Sequence, residues 1–269
     1  MMMRMMGAFL LRDLRIAISY NLSFILQLLN IFPMVLLFFF LSRLFGDVAS
    51  GPLKPYGGAY FPFVLIGIAV QNYFSTALNS FAGSIRESQV SGTLEAVFCT
   101  PVSTAAFLFG SALYAFVFNT LRIVIYFMVG YLLAGMVFDL RNVPWAILTI
   151  ILSIAAFSSM GILAASFIML FKKGDPLNWF FSVISWLLGG VYYPVALFPE
   201  WLRTVANYIP MTHTLEALRV LLLGLGGVGD VAGHLAALAV WGLIGLPVSY
   251  GCFLFALKRA KSAGTIGHY

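Results

Sequence analysis

The sequence has little charge for its length and lacks the composition of a soluble protein. Of its 269 residues, 9% are charged and 62% are hydrophobic, and the mean hydropathy is +1.00. Soluble domains carry about 25% charged residues, so a soluble fold is excluded. The net charge of +6 comes from basic residues scattered near the ends of apolar runs. That distribution argues against nucleic-acid binding.

Catalytic motifs are also missing. No lysine directly follows a glycine, so the chain lacks the phosphate-binding loop of P-loop ATPases. HExxH and GxSxG do not occur, and His213, His234 and His268 are too dispersed in the sequence to indicate a metal site. We therefore expect no catalytic residue, no metal and no cofactor bound by this chain. Cys99 and Cys252 cannot make a disulfide framework and are expected to be reduced thiols.

Long apolar runs are what the sequence does contain. A membrane helix needs about 20 apolar residues, and six such runs lie near 22–45, 60–82, 104–137, 144–171, 177–198 and 231–257. The prediction is an all-α polytopic membrane protein with a single transmembrane domain over residues 1–269. The first run is too long for a signal-peptide core and contains Pro33, so we expect it to be retained as a span.

The distribution of Lys and Arg predicts the orientation. With the amino terminus inside, the outer segments carry Arg43, Lys54, Arg141, Arg203 and Arg219, and Arg122 lies within a span. The inner segments carry nine basic residues, namely Arg4, Arg12, Arg15, Arg86, Lys172, Lys173, Lys258, Arg259 and Lys261. Because cytoplasmic segments are enriched in Lys and Arg, both termini are expected in the cytoplasm.

Residues 1–20 predict an amphipathic helix. At 100° per residue, Arg4, Arg12, Arg15 and Ser19 fall within an arc of about 80°, opposite a Met-rich apolar face. A helix with a basic stripe and an apolar face lies in the membrane interface, where anionic headgroups attract it.

A polar interval separates the second and third spans. We predict a helix from Ser84 to about residue 99, lying flat between the two spans. One side of it carries Ile85, Ser88 or Gln89, Gly92 and Ala96, and the other carries Arg86, Glu87, Val90 and Leu94. The pattern fits a docking element for a soluble partner and equally an ordinary cytoplasmic connector.

Residues 199–223 predict two short helices before the last span. Pro199 followed by Glu200 is typical of a helix start, Pro210 interrupts the chain, and a second helical pattern runs from Thr212 to Leu223. Neither helix is long enough to cross a membrane, so we predict a re-entrant outer cap. The prediction places Leu53–Pro62 in an outer loop.

Polar side chains on the predicted spans are candidates for lining a pathway. Asn72 and Asn79 share a face of the second span, and Asn119, Arg122 and Tyr126 share a face of the third. An arginine deep in a span should face the bundle interior, a water-filled cavity or a polar partner. Asn side chains also join helices by hydrogen bonds, so a structural role is favoured for the amides, whereas pathway lining and a structural role both remain open for Arg122.

Two stretches resemble the permease subunit of ABC-2 type ABC transporters. The first contains Arg86-Glu87, Gly92-Thr93-Leu94-Glu95 and Thr100-Pro101-Val102-Ser103, and is similar to a GTLE…TP pattern after the second span of that family. The second resembles the spaced prolines before the family's last span, and it contains Tyr193-Pro194, Phe198-Pro199, Ile209-Pro210 and Leu215-Glu216-Ala217-Leu218-Arg219.

The resemblance implies a dimeric exporter in a bacterial or archaeal cytoplasmic membrane, with a homodimer favoured. Two separate ATP-binding subunits would bind ATP and Mg²⁺. Residues 84–99 would be the coupling helix that contacts them, with Arg86, Glu87, Gly92, Thr93, Leu94 and Glu95 as contacts. Residues 1–20 would be a connecting helix. The outer cap would contain Tyr193, Pro194, Pro199, Pro210, Glu216 and Arg219.

The substrate and the competing functions are less constrained. The 26 Phe and 12 Tyr suit an amphipathic cargo but are also ordinary lipid-facing residues. A drug or lipid-like cargo is favoured because the amino-terminal stretch LLRDLRIAISYNLSFILQ resembles drug-type members of the family, and a polysaccharide or lipid-linked glycan is the alternative. An ion-coupled secondary transporter uses acids within its spans, and the predicted spans contain no Asp or Glu. A channel stays open on composition alone.

Overall fold

The computed structural model describes residues 2–19, 21–45, 50–93, 103–171 and 176–262, and within these ranges it is helical with no strand. Within these ranges, short 3₁₀ helices cover Lys54–Tyr56, Leu140–Asn142 and Val195–Leu197. The α-helices are α1 (Met2–Ser19), α2 (Asn21–Leu29), α3 (Ile31–Phe45), α4 (Ser50–Leu53), α5 (Tyr60–Val90), α6 (Thr104–Ala134), α7 (Val143–Phe171), α8 (Pro176–Leu188), α9 (Glu200–Ala206), α10 (Pro210–Leu222) and α11 (Val228–Ser262).

Helix α5 lies at the centre of the bundle. Its most apolar window is 72% buried, compared with 17% for Ile25–Phe45 and 22% for α11. It packs against α3, α6, α7 and α10. At 1.5 Å per residue it is about 46 Å long, which exceeds the hydrocarbon thickness of about 30 Å. We refer to the two ends of the bundle as the Tyr60 end and the Val90 end.

The two largest apolar clusters of the described residues lie around α5. The larger lies towards the Tyr60 end and includes Phe74 and Phe157, whose rings pack edge to face at 5.1 Å. The smaller lies towards the Val90 end around Phe81 and Ile85. Phe116 is partly buried against both clusters. Helices α7 and α11 share the most extensive helix–helix contact, and α1 packs against α6.

Among the described residues, five helical segments are long and apolar enough to cross a membrane: Ile25–Phe45, Tyr60–Val90, Thr104–Ala134, Leu140–Phe171 and Val228–Ser262. The helix predicted over 177–198 ends at Leu188. Gly190 adopts a left-handed conformation with φ +79, which favours glycine and ends the helix. Sequence hydropathy missed this break because Val191, Val195 and Leu197 continue the apolar run.

Two other predicted boundaries differ from the structure. The first span is divided at Asn30 into α2 and α3. Pro33 explains the division, because its ring displaces the carbonyl four residues earlier, that of Leu29. The second span does not end near residue 82. It continues to Val90, so residues 84–90 extend the spanning helix and do not begin a new one at Ser84.

The predicted short helices before the last span are present. Pro199 precedes α9 as its N-cap, and α10 begins at Pro210 rather than at Thr212 and ends at Leu222. Helix α10 packs against α5, α7 and α11. The predicted loop Leu53–Pro62 is partly helical, because α4, a 3₁₀ helix and the start of α5 lie within or beside it.

Candidate functional site

The last two turns of α5 form an amphipathic surface at the Val90 end. Ile85 is fully buried and Gln89 is 7% exposed, whereas Arg86, Glu87 and Val90 are exposed and line an open cavity of about 380 Å³. Arg86 and Glu87 form no ion pair with another described residue. The sequence predicted this division of residues 85–90 into two sides. The exposed end of the helix therefore carries an unpaired cation, Arg86, next to an unpaired anion, Glu87.

Gly92 and Thr93 end this helix. The Gly92 N–H donates to the Gln89 carbonyl over 3.1 Å, and its φ of +67 is the left-handed conformation typical of helix C-termini. Ser91 donates from its hydroxyl to the Glu87 carbonyl at 2.8 Å and lies 2.8 Å from the Thr93 hydroxyl. Gly92 and Thr93 therefore shape the turn. Leu94, Glu95 and the remainder of the predicted coupling helix lie outside the described residues.

A polar cavity of about 660 Å³ lies beside this surface, between α1, α5 and α6. Glu87 lines it from α5 and Arg12 and Asp13 line it from α1. Arg12 pairs with Asp13 at 2.8 Å, and its guanidinium lies 5.0 Å from the Phe9 ring centroid. The Phe9 ring contacts Gly110 of α6, where a Cβ atom would lie only 2.8 Å from it. Helix α1 is thus positioned next to the exposed end of α5.

The candidate amides on α5 make structural hydrogen bonds. Asn72 donates to the Ile68 carbonyl of its own helix at 2.8 Å. Asn79 accepts from Asn178 of α8 at 3.0 Å and donates to the Ser75 carbonyl. Asn79 therefore joins α5 to α8, the structural role that the sequence favoured for the amides.

The candidates on α6 have no such partners. Asn119 is 2% exposed, and neither its amide nitrogen nor its amide oxygen has a partner among the described residues. The buried Nε of Arg122, one turn later, also lacks an acceptor among them. Tyr126 is 2% exposed on the same face. The structure therefore brings three of the predicted pathway residues together on α6 and places Asn72 and Asn79 in other contacts.

Arg219 joins the predicted cap to the Tyr60 end of α5. It is fully buried and donates to the Phe63 carbonyl from Nε and Nη2 at 3.3 and 3.2 Å. Its Nη2 also donates to the carbonyls of Gly190 and Val191 at 2.9 and 3.1 Å. Burial lowers the pKa of Arg219 to about 10, so the side chain stays charged at neutral pH. One guanidinium connects α10, α5 and the chain that follows α8.

Gly67 makes room for this connection. A Cβ atom at Gly67 would overlap the Val191 carbonyl oxygen and lie 3.3 Å from Nη2 of Arg219. The α5 backbone can therefore approach the 190–191 segment closely enough for Arg219 to reach both.

The other predicted cap residues make contacts of their own at the Tyr60 end. The Tyr56 hydroxyl donates to the two carboxylate oxygens of Glu216 at 2.8 and 2.9 Å. Burial, followed by the Glu216 carboxylate, raises the pKa of Tyr56. Tyr193 donates to the Leu187 carbonyl at 2.5 Å. Pro194 precedes the 3₁₀ helix Val195–Leu197 as its N-cap, Pro199 does the same for α9, and Pro210 lies in the first turn of α10.

Two histidines that are separated in the sequence meet at the Tyr60 end. Nδ1 of His213 on α10 lies 2.9 Å from Nδ1 of His234 on α11, and Nε2 of His213 lies 2.8 Å from the Asn207 carbonyl. Since Nε2–H must donate to that carbonyl, a neutral His213 accepts at Nδ1 and His234 donates. Burial, opposed by the Asn207 hydrogen bond, lowers the pKa of His213. The two histidines are 21 residues apart in the sequence, and they meet because α10 packs against α11.

An apolar cavity of about 360 Å³ opens near the same end. Aromatic and proline side chains dominate its walls, which comprise Phe45, Pro52, Leu53, Tyr60, Tyr192, Tyr193, Pro194 and Leu197. Sequence reasoning identified Tyr193 and Pro194 but not the partners from α3 and α5. No local pattern in the sequence links these segments.

A comparison with protein families identifies the family of the chain. A sequence profile described as ABC-2 type transporter matches residues 10–223. This chain belongs to the ABC-2 type transporter family. No curated protein matches it significantly. The matched range includes the exposed end of α5, the unpartnered polar residues of α6 and the Arg219 connection.

Membership of the ABC-2 family assigns the chain its general role. It is the membrane-embedded permease part of an ABC transporter and not its ATPase subunit. The family works with an ATP-binding subunit. The five long apolar helices and the family together identify an integral membrane protein.

Proposed function

We propose that this chain is the permease of an ATP-driven exporter, working as a dimer with two ATP-binding subunits that dock at the Val90 end. The exposed Arg86–Glu87 pair at the end of α5 carries the proposal. Both side chains are unpaired within the described residues, although they sit on the helix with the most buried span. A partner that binds this end therefore contacts the helix around which the bundle is packed.

The proposed orientation follows from charge. Arg12, Arg15 and Arg86 lie at the Val90 end, as do Lys258, Arg259 and Lys261 at the end of α11. Cytoplasmic segments are rich in Lys and Arg, so the Val90 end and both termini would face the cytoplasm of a bacterial or archaeal cell. The Tyr60 end, with its Arg219 connection, would face outwards.

Six crossings fit this orientation better than five. Asn178 bonds to Asn79 and Val191 lies against Gly67, so the chain advances about 18 Å along α5 between these contacts. Helix α8 and the residues that follow it would complete the sixth crossing without a continuous helix. Non-helical backbone at membrane depth is tolerated where protein covers it. In the segment after α8, Arg219 donates to two backbone carbonyls, those of Gly190 and Val191.

The coupling mechanism would use α5 as a rigid connection. ATP-driven closure of the partner subunits, which would hold ATP and Mg²⁺, would displace the Val90 end and with it α1, which shares the polar cavity with Glu87. The displacement would reach the Tyr60 end through α5, and Arg219 would carry it to the cap. The pathway would open between the two permease copies, with Asn119, Arg122 and Tyr126 as candidates for lining it.

The cargo we favour is a drug or lipid-like amphipathic molecule. The apolar aromatic cavity near Tyr60 and Tyr193 would accept a hydrocarbon or ring system at the exit side. A polysaccharide or lipid-linked glycan is the alternative, since aromatic rings also stack on sugars. An ion-coupled carrier is disfavoured, because the carboxylates on the five long apolar helices, Glu87 and Asp230, both lie near helix ends.

The test is co-purification from native membranes combined with an ATPase assay. The wild-type chain should retain an ATP-binding subunit at equal stoichiometry. Glu87→Lys should lose it, or lose transport-coupled ATPase activity, while the chain still inserts in the membrane. Glu200→Lys is the matched control, because Glu200 is an exposed acid at the opposite end.

Two results would contradict the proposal. If the wild-type chain purifies without an ATPase, a carrier or channel becomes the better description. If Glu87→Lys and Glu200→Lys both retain a normally coupled partner, docking does not involve the end of α5.

A further inference from the structure

Arg122 lies deep within the apolar part of α6. At 1.5 Å per residue it is about 27 Å from Thr104 and about 18 Å from Ala134, so it falls within the hydrocarbon of a bilayer about 30 Å thick. Nearby positions on the outer side of the helix, Leu121 and Val124, are 46% and 59% exposed, as expected for lipid contact. Arg122 is therefore a charge at mid-membrane depth, at the edge of the packed face of its helix.

The described structure offers this charge no counter-ion. Arg122 forms no hydrogen bond or ion pair with a described residue, and its Nε is buried. The only carboxylates on the five long helical segments are Glu87, three residues before the end of α5, and Asp230, in the first turn of α11. A second copy of the described chain has the same distribution, so it brings no carboxylate to this depth either.

Asn119 adds unused hydrogen-bonding groups beside the charge. It lies three residues before Arg122, which places both side chains on one face of α6. It is 2% exposed, and its amide nitrogen and oxygen are both buried without a partner in the described structure. A buried amide without a partner costs about 1–3 kcal/mol of folding free energy, so Asn119 destabilises the described chain in this position.

Packing between helices does not account for these two residues. Helices α5 and α6 are already joined by polar pairs elsewhere, Tyr73 to Thr120 at 2.5 Å and Ser84 to Ser111 at 3.2 Å. Polar residues that join membrane helices show such contacts, and Asn119 and Arg122 show none. The Arg122 side chain is partly exposed, so a ligand from outside the chain can reach its guanidinium, whereas the buried Asn119 amide becomes reachable only when the ligand displaces the side chains packed over it.

We propose that Arg122 and Asn119 bind the anionic headgroup, a carboxylate or a phosphate, of an amphipathic cargo. A guanidinium binds either group through charge-assisted hydrogen bonds, and the low dielectric at this depth strengthens the attraction. The hydrocarbon part of the cargo would lie along the apolar surface of α6. The inference rests on the export function proposed above and adds the charge of the substrate to it.

The experiment measures binding to the purified complex in nanodiscs of zwitterionic lipid. Three probes share one acyl chain: a fatty acid, a lysophosphatidic acid and a lysophosphatidylcholine, each competing with a fluorescent fatty acid. The wild-type complex should bind at least one anionic probe about tenfold or more tightly than the phosphocholine. Whichever anionic probe binds more tightly identifies carboxylate or phosphate as the preferred group.

Variants assign the preference to the named residues. Arg122→Gln should abolish the discrimination between anionic and zwitterionic probes, Arg122→Lys should retain part of it, and Asn119→Leu should weaken it. Arg141→Gln removes an exposed arginine outside the apolar part of the span and should change nothing. Retention of part of the discrimination by Arg122→Lys also shows that the site folds.

The outcomes separate this inference from the function on which it rests. If the wild-type complex contains its ATPase but does not discriminate, or if Arg122→Gln discriminates as well as wild type, the inference is wrong and the exporter proposal stands. If no ATPase accompanies the chain, the exporter proposal fails, and with it the assignment of Arg122 to cargo.

Discussion

The guanidinium carbon of Arg219 lies 3.4 Å from the centroid of the Phe63 ring, and the same guanidinium donates to the Phe63 carbonyl. One residue of α5 thus meets Arg219 through both its ring and its backbone. Arg219 also binds the chain after α8, so the Tyr60 end is held at this point by a single side chain.

Replacing this guanidinium should destabilise the protein. Arg219→Lys keeps the charge but loses the planar group that reaches three carbonyls and stacks on Phe63, and we expect a loss of about 3 kcal/mol. Thermal unfolding of the purified protein in detergent measures it. Arg203→Lys, at an exposed arginine bonded to the Ala196 carbonyl, should cost less than about 1 kcal/mol. Equal losses in the two variants would contradict a special role for Arg219.

Gly67→Ala tests the close approach of α5 to the 190–191 segment. The added methyl group would overlap the Val191 carbonyl, and we expect a destabilisation of about 1–3 kcal/mol. Gly251→Ala is the control, since no atom lies within 4 Å of a Cβ there. In an exposed helical position this change should be neutral or stabilise by up to about 1 kcal/mol. An unfolding midpoint for Gly67→Ala as high as that of the control would show that the segment moves aside freely.

The His213–His234 contact predicts acid sensitivity. Because burial lowers the pKa of His213 below its usual 6.5, its contribution to stability is complete above pH 6.5 and is lost as the pH falls through its folded pKa. Neither carboxylate of the two helices is paired with an imidazole in the described structure, since Glu216 accepts from Tyr56 and Asp230 accepts from the Gly227 N–H. The unfolding midpoint should therefore fall between pH 7.5 and pH 5.

His213→Gln tests the source of that decrease. The variant removes the group that titrates, so its unfolding midpoint should change less over the same pH interval. A decrease as large as that of the wild-type protein would assign the acid sensitivity to other groups.

Asn79 should matter for stability and not for transport. Its bond to Asn178 joins α5 to α8, and interhelical hydrogen bonds in membranes contribute about 0.6 kcal/mol on average. A double-mutant cycle of Asn79→Ala and Asn178→Ala should give a coupling energy of that order, while ATP-driven transport continues. Loss of transport without loss of stability would instead indicate that Asn79 lines the transport pathway.

Local patterns in the sequence predicted a large part of this structure. The apolar runs, the amino-terminal helix and the short helices around Pro199 and Pro210 depend on neighbours in the sequence. Five of the six predicted apolar runs form long helices, and the amino-terminal helix and the two short helices are present. The exposed side of α5 with Arg86 and Glu87 was also readable, since helical periodicity alone separates it from Ile85.

Features that depend on tertiary contact were not predicted. The break after Leu188 depends on Gly190 and on Arg219, which lies 29 residues further along the chain. The His213–His234 pair and the Tyr56–Glu216 bond exist because α10 packs beside α11 and α5. Hydropathy describes each segment alone, so it predicted a sixth continuous helix. The protein instead has the short helix α8, followed by a segment whose carbonyls accept hydrogen bonds from Arg219.

The division of the apolar core has a consequence for hydrogen exchange. The two clusters meet on α5 between Leu78 and Phe81, and Phe116 packs against both. Regions with separate cores open in separate cooperative units. Amides of α5 on either side of this boundary should therefore exchange with deuterium in two groups, and binding at the Val90 end should slow exchange more in the group nearer that end.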